Sequence, residues 1–260
     1  MQPSPPRKPQ PEPENKCPDC LYMKLEGIPV QPDSQDYFDL WQASSQTRQI
    51  DLHLTINFDE QWESLKAGRI KFGLKGGELR LKLENSEIPY ECRELAGSLE
   101  LSPQKGSQHP QGSKDKKSVE VRVSAFYSSF NGSKIKTQAN VSASLRQQRI
   151  EQLPVTICHV TTKVSEENPA WVFEEEIGEP VLRGSLNKVK LATLNVTALP
   201  CHVEATFEVS KRDVCLTDAE GLWPSDISRN KRAVLDRLII QRLLEPKFKP
   251  YLSRAELHYD

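Results

Sequence analysis

Residues 69–84 read RIKFGLKGGELRLKLE, and apolar side chains alternate with charged ones on both sides of a Gly-Gly pair. A period of two is the signature of a strand with one dry and one wet face. With Gly76 and Gly77 as a two-residue turn, Lys75 is predicted to pair with Glu78, Leu74 with Leu79, Phe72 with Leu81 and Ile70 with Leu83. Every apolar residue then lands on one face, and a slip of one residue would scatter them. The stretch predicts an antiparallel hairpin over a hydrophobic core.

The same rhythm recurs along the chain. In IDLHLTINF (50–58), Ile50, Leu52, Leu54, Ile56 and Phe58 share a face, and in HVEATFEVS (202–210) Val203, Ala205, Phe207 and Val209 do so. Further strands are expected at 94–101, 118–126, 138–145, 155–160 and 188–196. No helical pattern lies between them to serve as a parallel crossover. One departure is WPSDISRNKRAVLDRLIIQRLL (223–244), where Ile227, Val234, Leu235, Leu238, Ile239 and Leu243 recur at helical spacing after Ser225 or Asp226 as N-cap, with Pro246 as the stop. The expected fold is mainly β: an antiparallel β-sandwich, or two smaller β lobes, with one C-terminal amphipathic α-helix.

Two segments cannot bury enough apolar surface to offset their ordering entropy. Prolines fill six of the first 13 positions, so residues 1–16 are expected to form a disordered Pro-rich tail. SPQKGSQHPQGSKDKKS (102–118) contains no aliphatic or aromatic residue and is expected to be a linker or long loop. The organisation that follows is a tail (1–16), an N-terminal β region (17–101), the linker (102–118), a C-terminal β region (119–224) and a helical segment (225–260).

The chain has 260 residues, 37% of them hydrophobic, and 35 Lys and Arg against 36 Asp and Glu for a net charge of -1. Any charged partner must therefore be met by a local patch, since bulk charge favours neither nucleic acid nor an acidic disordered chain. No apolar run is long enough for a membrane-spanning helix, and the leader lacks the apolar stretch of a secretory signal. A cytoplasmic location is expected, with the six cysteines reduced and the sequons at Asn131, Asn140 and Asn195 idle.

Three groups of residues carry candidate chemistry. Cys17 and Cys20 in CPDC have zinc-ligand spacing but supply only half of a tetrahedral site, because Cys92, Cys158, Cys201 and Cys215 stand singly. Within SEENPAWVFEEEIGEP (165–180), Glu174, Glu175 and Glu176 with Trp171 and Phe173 form a candidate acidic docking surface with aromatic anchors. On the C-terminal helix, Arg229, Lys231, Arg232, Arg237 and Arg242 form a candidate anion-binding face, or else the solvated side of a helix whose apolar stripe packs on the β body. No Walker loop, G-x-S-x-G elbow or H-E-x-x-H is present, so no catalytic residue and no cofactor beyond zinc is assigned. The leading expectation is a non-catalytic protein-binding or assembly module. A nucleic-acid- or membrane-contacting accessory protein acting through the basic helix is the second, and a cryptic hydrolase or zinc-binding protein the third.

Overall fold

A computed structural model describes residues 10–30, 48–103, 156–165, 168–224 and 226–260. The strands expected at 118–126 and 138–145, most of the expected linker, His109, Asn131, Asn140 and Ser225 lie outside them. In chain order the strands are β1 (Glu14–Asn15), β2 (Leu21–Pro29), β3 (Arg48–Phe58), β4 (Gln61–Leu65), β5 (Gly68–Leu74), β6 (Gly76–Glu84), β7 (Ser86–Glu87), β8 (Gly97–Leu101), β9 (Thr156–Lys163), β10 (Ala170–Glu175), β11 (Gly184–Val196), β12 (Cys201–Glu208) and β13 (Val214–Glu220). Helix α1 (Arg229–Ile239), a π turn (Ile240–Leu244), α2 (Glu245–Phe248) and β14 (Ser253–Tyr259) follow.

The strands form three antiparallel sheets, ordered β1-β14-β12-β6-β10-β9-β8, β2-β3-β11-β7 and β13-β5-β4. Each sheet pairs strands that precede residue 102 with strands that follow residue 155, so the described strands of the two β regions form one sandwich-like arrangement. β3 carries the clearest alternation, and Ile50, Leu52, Leu54, Ile56 and Phe58 all face inward. Each buried side chain of this size contributes about 1.5–3 kcal/mol. Phe58 meets Phe173 of β10 and Phe207 of β12 at centroid separations of 6.1 and 5.9 Å, which joins the seven- and four-stranded sheets across the core. β12 follows its expected alternation, with Val203, Ala205 and Phe207 buried.

The 69–84 stretch forms its strands but not its hairpin. β5 pairs with β13 and β4, whereas β6 pairs with β10 and β12, so the chain passes from one sheet to another at Lys75. Backbone groups of Lys75 stitch the crossing, the N–H donating to Asp213 O at 2.6 Å and the carbonyl accepting from Glu175 N at 2.9 Å. Gly76 and Gly77 are strand residues of β6 and lack positive φ. Their reason is space: a Cβ on Gly76 would stand 2.2 Å from the Phe173 carbonyl oxygen, and one on Gly77 2.3 Å from Phe207 Cε1. The burial expected of Ile70, Phe72, Leu74, Leu79 and Leu81 holds, because strands that change sheets keep one dry face as hairpins do.

Two boundaries also move. Residues 10–16 belong to the fold although proline-rich: β1 borders β14, and Gln10 Nε2 donates to His258 O at 2.9 Å. Asn15 Oδ1 accepts from Met23 N at 3.0 Å and from the Ser253 hydroxyl, satisfying polar groups that apolar burial alone leaves open. The helix starts later than expected, with Ser228 as N-cap, and it continues beyond Pro246. That proline sits in the first turn of α2, where its missing N–H costs no hydrogen bond. The final strand β14 lies inside the segment read as helical.

Candidate functional surfaces

Cys17 and Cys20 bracket a tight turn in which the Cys17 carbonyl accepts from the N–H groups of Cys20 and Leu21. Both thiols are buried in the core, alongside Leu21 and Met23. Burial raises the Cys17 pKa, and it raises that of Cys20 strongly, with Cys17, Asp59 and Glu60 adding to the effect. Neither cysteine joins a group of three or more potential ligands among the described residues. The turn's contribution is to bring the chain from β1 into β2.

Trp171 and Phe173 are fully buried, so they are core residues and not anchors of an acidic docking surface. Both sit on the inward face of β10, a strand that the neighbouring glutamates hid from view. Of the acidic run, Glu174 and Glu176 are exposed, while the Glu175 carboxylate is engaged locally, accepting from the N–H groups of Ile177 and Gly178 at 2.8 and 2.9 Å. On the adjoining strands Ser98 Oγ lies 3.3 Å from His159 Nδ1, the one Ser–His hydrogen bond among the described residues. It lies at the exposed sheet surface, and no described residue orients the ring's other nitrogen.

The C-terminal helix departs most from its bland reading. Ser228 caps it by accepting from Lys231 N at 3.5 Å, and Arg237 lies in its last turn, where a cation complements the helix dipole. Yet α1 contains no buried residue. Most of its apolar stripe is turned outward: Val234 is 60% exposed, Leu235 38%, Leu238 39%, and Leu243 beyond it 42%, while Ile239 is half-buried against the core. The helix is held from its other end, where the π turn rotates Leu244 into the core and α2 buries Phe248, whose ring lies 5.7 Å from Phe72. Arg229, Lys231, Arg232, Arg237 and Arg242 are all exposed around the stripe. Only Arg232 has an acidic partner among the described residues, Asp236 at 4.0 Å. Asp236 itself is turned away from the stripe, into a cleft of about 410 Å³ between α1 and β13. Burial raises its carboxyl above the ordinary range, with Arg232 opposing.

One cluster escapes reading from the sequence: His202, Glu256 and His258 on the outer face of the seven-stranded sheet. Glu256 and His258 are two apart, which on a strand means one face, and this much of the signal is local. That β12 lies beside β14 is not. No helix among the described residues is long and apolar enough to cross a membrane. No family model matches the chain, and no curated protein matches its sequence.

Proposed function

We propose that the chain is a non-catalytic binding or assembly module that docks a protein partner through α1. The observation that carries this is the outward stripe of Val234, Leu235, Leu238 and Leu243 on a helix with no buried residue of its own. Such a stripe fits the helix-in-groove mode, in which anchors recur at i, i+3 and i+4: Leu235 and Leu238 stand three apart, and Val234 and Leu238 four. The surrounding Arg229, Lys231, Arg237 and Arg242 favour a groove rimmed with acidic residues. A protein fits better than an anionic membrane, because four aliphatic residues without an exposed aromatic offer little to anchor in a lipid interface.

The test uses the full chain carrying a photo-crosslinking residue at position 234 or 238 in its host, followed by purification of the protein captured. Binding of that protein should weaken about tenfold or more in Leu238→Glu and Val234→Glu, and lose salt dependence in Arg237→Glu. Lys82→Glu, on the outer face of the large sheet, should leave it unchanged. Equal binding by the α1 variants would overturn the proposal, as would retention by phosphatidylserine vesicles or duplex DNA with no protein captured.

A further inference from the structure

β12 and β14 run antiparallel, and their register sets His202 opposite His258 and Glu204 opposite Glu256. β6 flanks β12 on its other side and sets Glu84 opposite His202. Residues opposite one another share a face, so Glu84, His202 and His258 form one row on the outer surface, with Glu256 in the next row of β14. The imidazole rings stack at 4.4 Å with 17° between their planes. Glu256 Oε2 stands 3.4 Å from His258 Nε2 and 3.9 Å from His202 Nε2. His202 Nε2 is buried and has no hydrogen-bond partner.

We propose that His202, His258 and Glu256 bind one divalent transition-metal ion of the zinc class, with water completing the coordination. In a tetrahedral site with bonds of about 2.0–2.1 Å, donor atoms stand roughly 3.4 Å apart, close to the two spacings found. Two imidazoles and a carboxylate suit zinc, copper(II) or nickel and disfavour calcium and magnesium, which take oxygen ligands. Surrounding residues hold the donors as second-layer groups do in metal sites. Arg254 pairs with the other Glu256 oxygen, Oε1, and with Glu204 at 2.7 Å, which leaves Oε2 for the imidazoles. Glu84 Oε2 lies 3.8 Å from His202 Nδ1, too far for a direct hydrogen bond, and its negative charge favours a proton on that nitrogen over one on Nε2, the atom offered to the metal. Gln10 brackets the His258 backbone, its side chain donating to the carbonyl and accepting from the N–H, each at 2.9 Å. Drawing the donors together requires the His258 ring to turn about its Cβ–Cγ bond; at 53% exposure the side chain has room to do so.

The experiment is calorimetric titration of the metal-free full chain with zinc, paired with the visible spectrum of the cobalt(II) form. One ion per chain should bind, and Tm should rise with zinc concentration. The cobalt bands should be those of a tetrahedral nitrogen and oxygen site, without thiolate charge transfer. His202→Ala and His258→Ala should each weaken binding about tenfold or more, and Glu84→Gln by a smaller factor. Cys17→Ser with Cys20→Ser should leave affinity unchanged, and circular dichroism will show whether each variant is folded. Zinc binding that survives the His202→Ala, His258→Ala pair, or a thiolate signature in the cobalt spectrum, would overturn the assignment, as would no binding by the wild-type chain.

Discussion

Gly76 and Gly77 mark a place where β6 lies too close to its sheet neighbours β10 and β12 for any side chain. A methyl at Gly76 would strike a backbone carbonyl that the ladder holds, whereas a methyl at Gly77 would strike the ring of Phe207. Overpacking of this kind costs about 1–3 kcal/mol. Gly76→Ala should therefore lower Tm more than Gly77→Ala, since a ring can yield further than a paired backbone. Equal Tm values for both variants and wild type would contradict this. Glu60 is a second sensitive residue: its side chain is 5% exposed and meets Lys71 at 2.9 Å and Arg183 at 2.5 Å. Burial works to raise its pKa, but hydrogen bonds from Thr217, Lys71 and Arg183 outweigh it and hold the carboxyl below its ordinary 4.5. A lowered folded-state pKa contributes stability above the unfolded value, lost as pH falls through the folded one. Glu60→Gln should thus cost about 2 kcal/mol at pH 7. The gap to wild type should narrow only below pH 4.5, which urea unfolding across the pH range would reveal.

At the scale of the element, the C-terminal helix divides into a holding end and a presenting end. Leu244→Ala and Phe248→Ala remove buried side chains and should cost about 2–5 kcal/mol. Leu238→Ala, on the exposed stripe, should change stability by no more than about 0.5 kcal/mol. If thermal unfolding found Leu238→Ala as costly as Leu244→Ala, the helix would have to pack along its whole length. Helical spacing made the stripe legible, but spacing carries no information about what covers a stripe, and here the protein's own core takes up Ile239 and leaves Val234, Leu235, Leu238 and Leu243 exposed. The strands divide in the same way. β3 and β12 were legible because their inward residues alternate without interruption. β10 was obscured by glutamates at one end, and β14 by a charged outer face that dilutes its apolar one. The hairpin expected at Gly76 failed because alternation reports which way side chains point and not which strand lies alongside. The same blindness hid the His202, Glu256 and His258 cluster, whose two strands meet only through tertiary pairing.

For the whole molecule, the edges of the sheets matter most. The two residues of β1 cover part of β14, assisted by Gln10 and by Tyr251, whose hydroxyl donates to Glu14 at 2.9 Å. A chain lacking residues 1–16 would leave Ser253 without Asn15 and the β14 backbone open to another chain. It should lose about 1–3 kcal/mol of stability in urea unfolding and form concentration-dependent oligomers on size-exclusion chromatography. A truncated chain as stable and monodisperse as the full one would show that the edge needs no cover.

The weaving of both chain halves into every sheet also governs how the molecule comes into being. Ile50 must find Leu194, and Leu81 must find Ala205, before either sheet has its central pairing. Loop closure of that span is entropically costly before any contact rewards it, which places folding in the slow range of β topologies, milliseconds to seconds. During synthesis the apolar faces of β2, β3 and β6 emerge long before β11 and β12 can cover them. The nascent chain therefore passes through an interval in which its stickiest strands are bare, and that interval ends only when translation has delivered the second half.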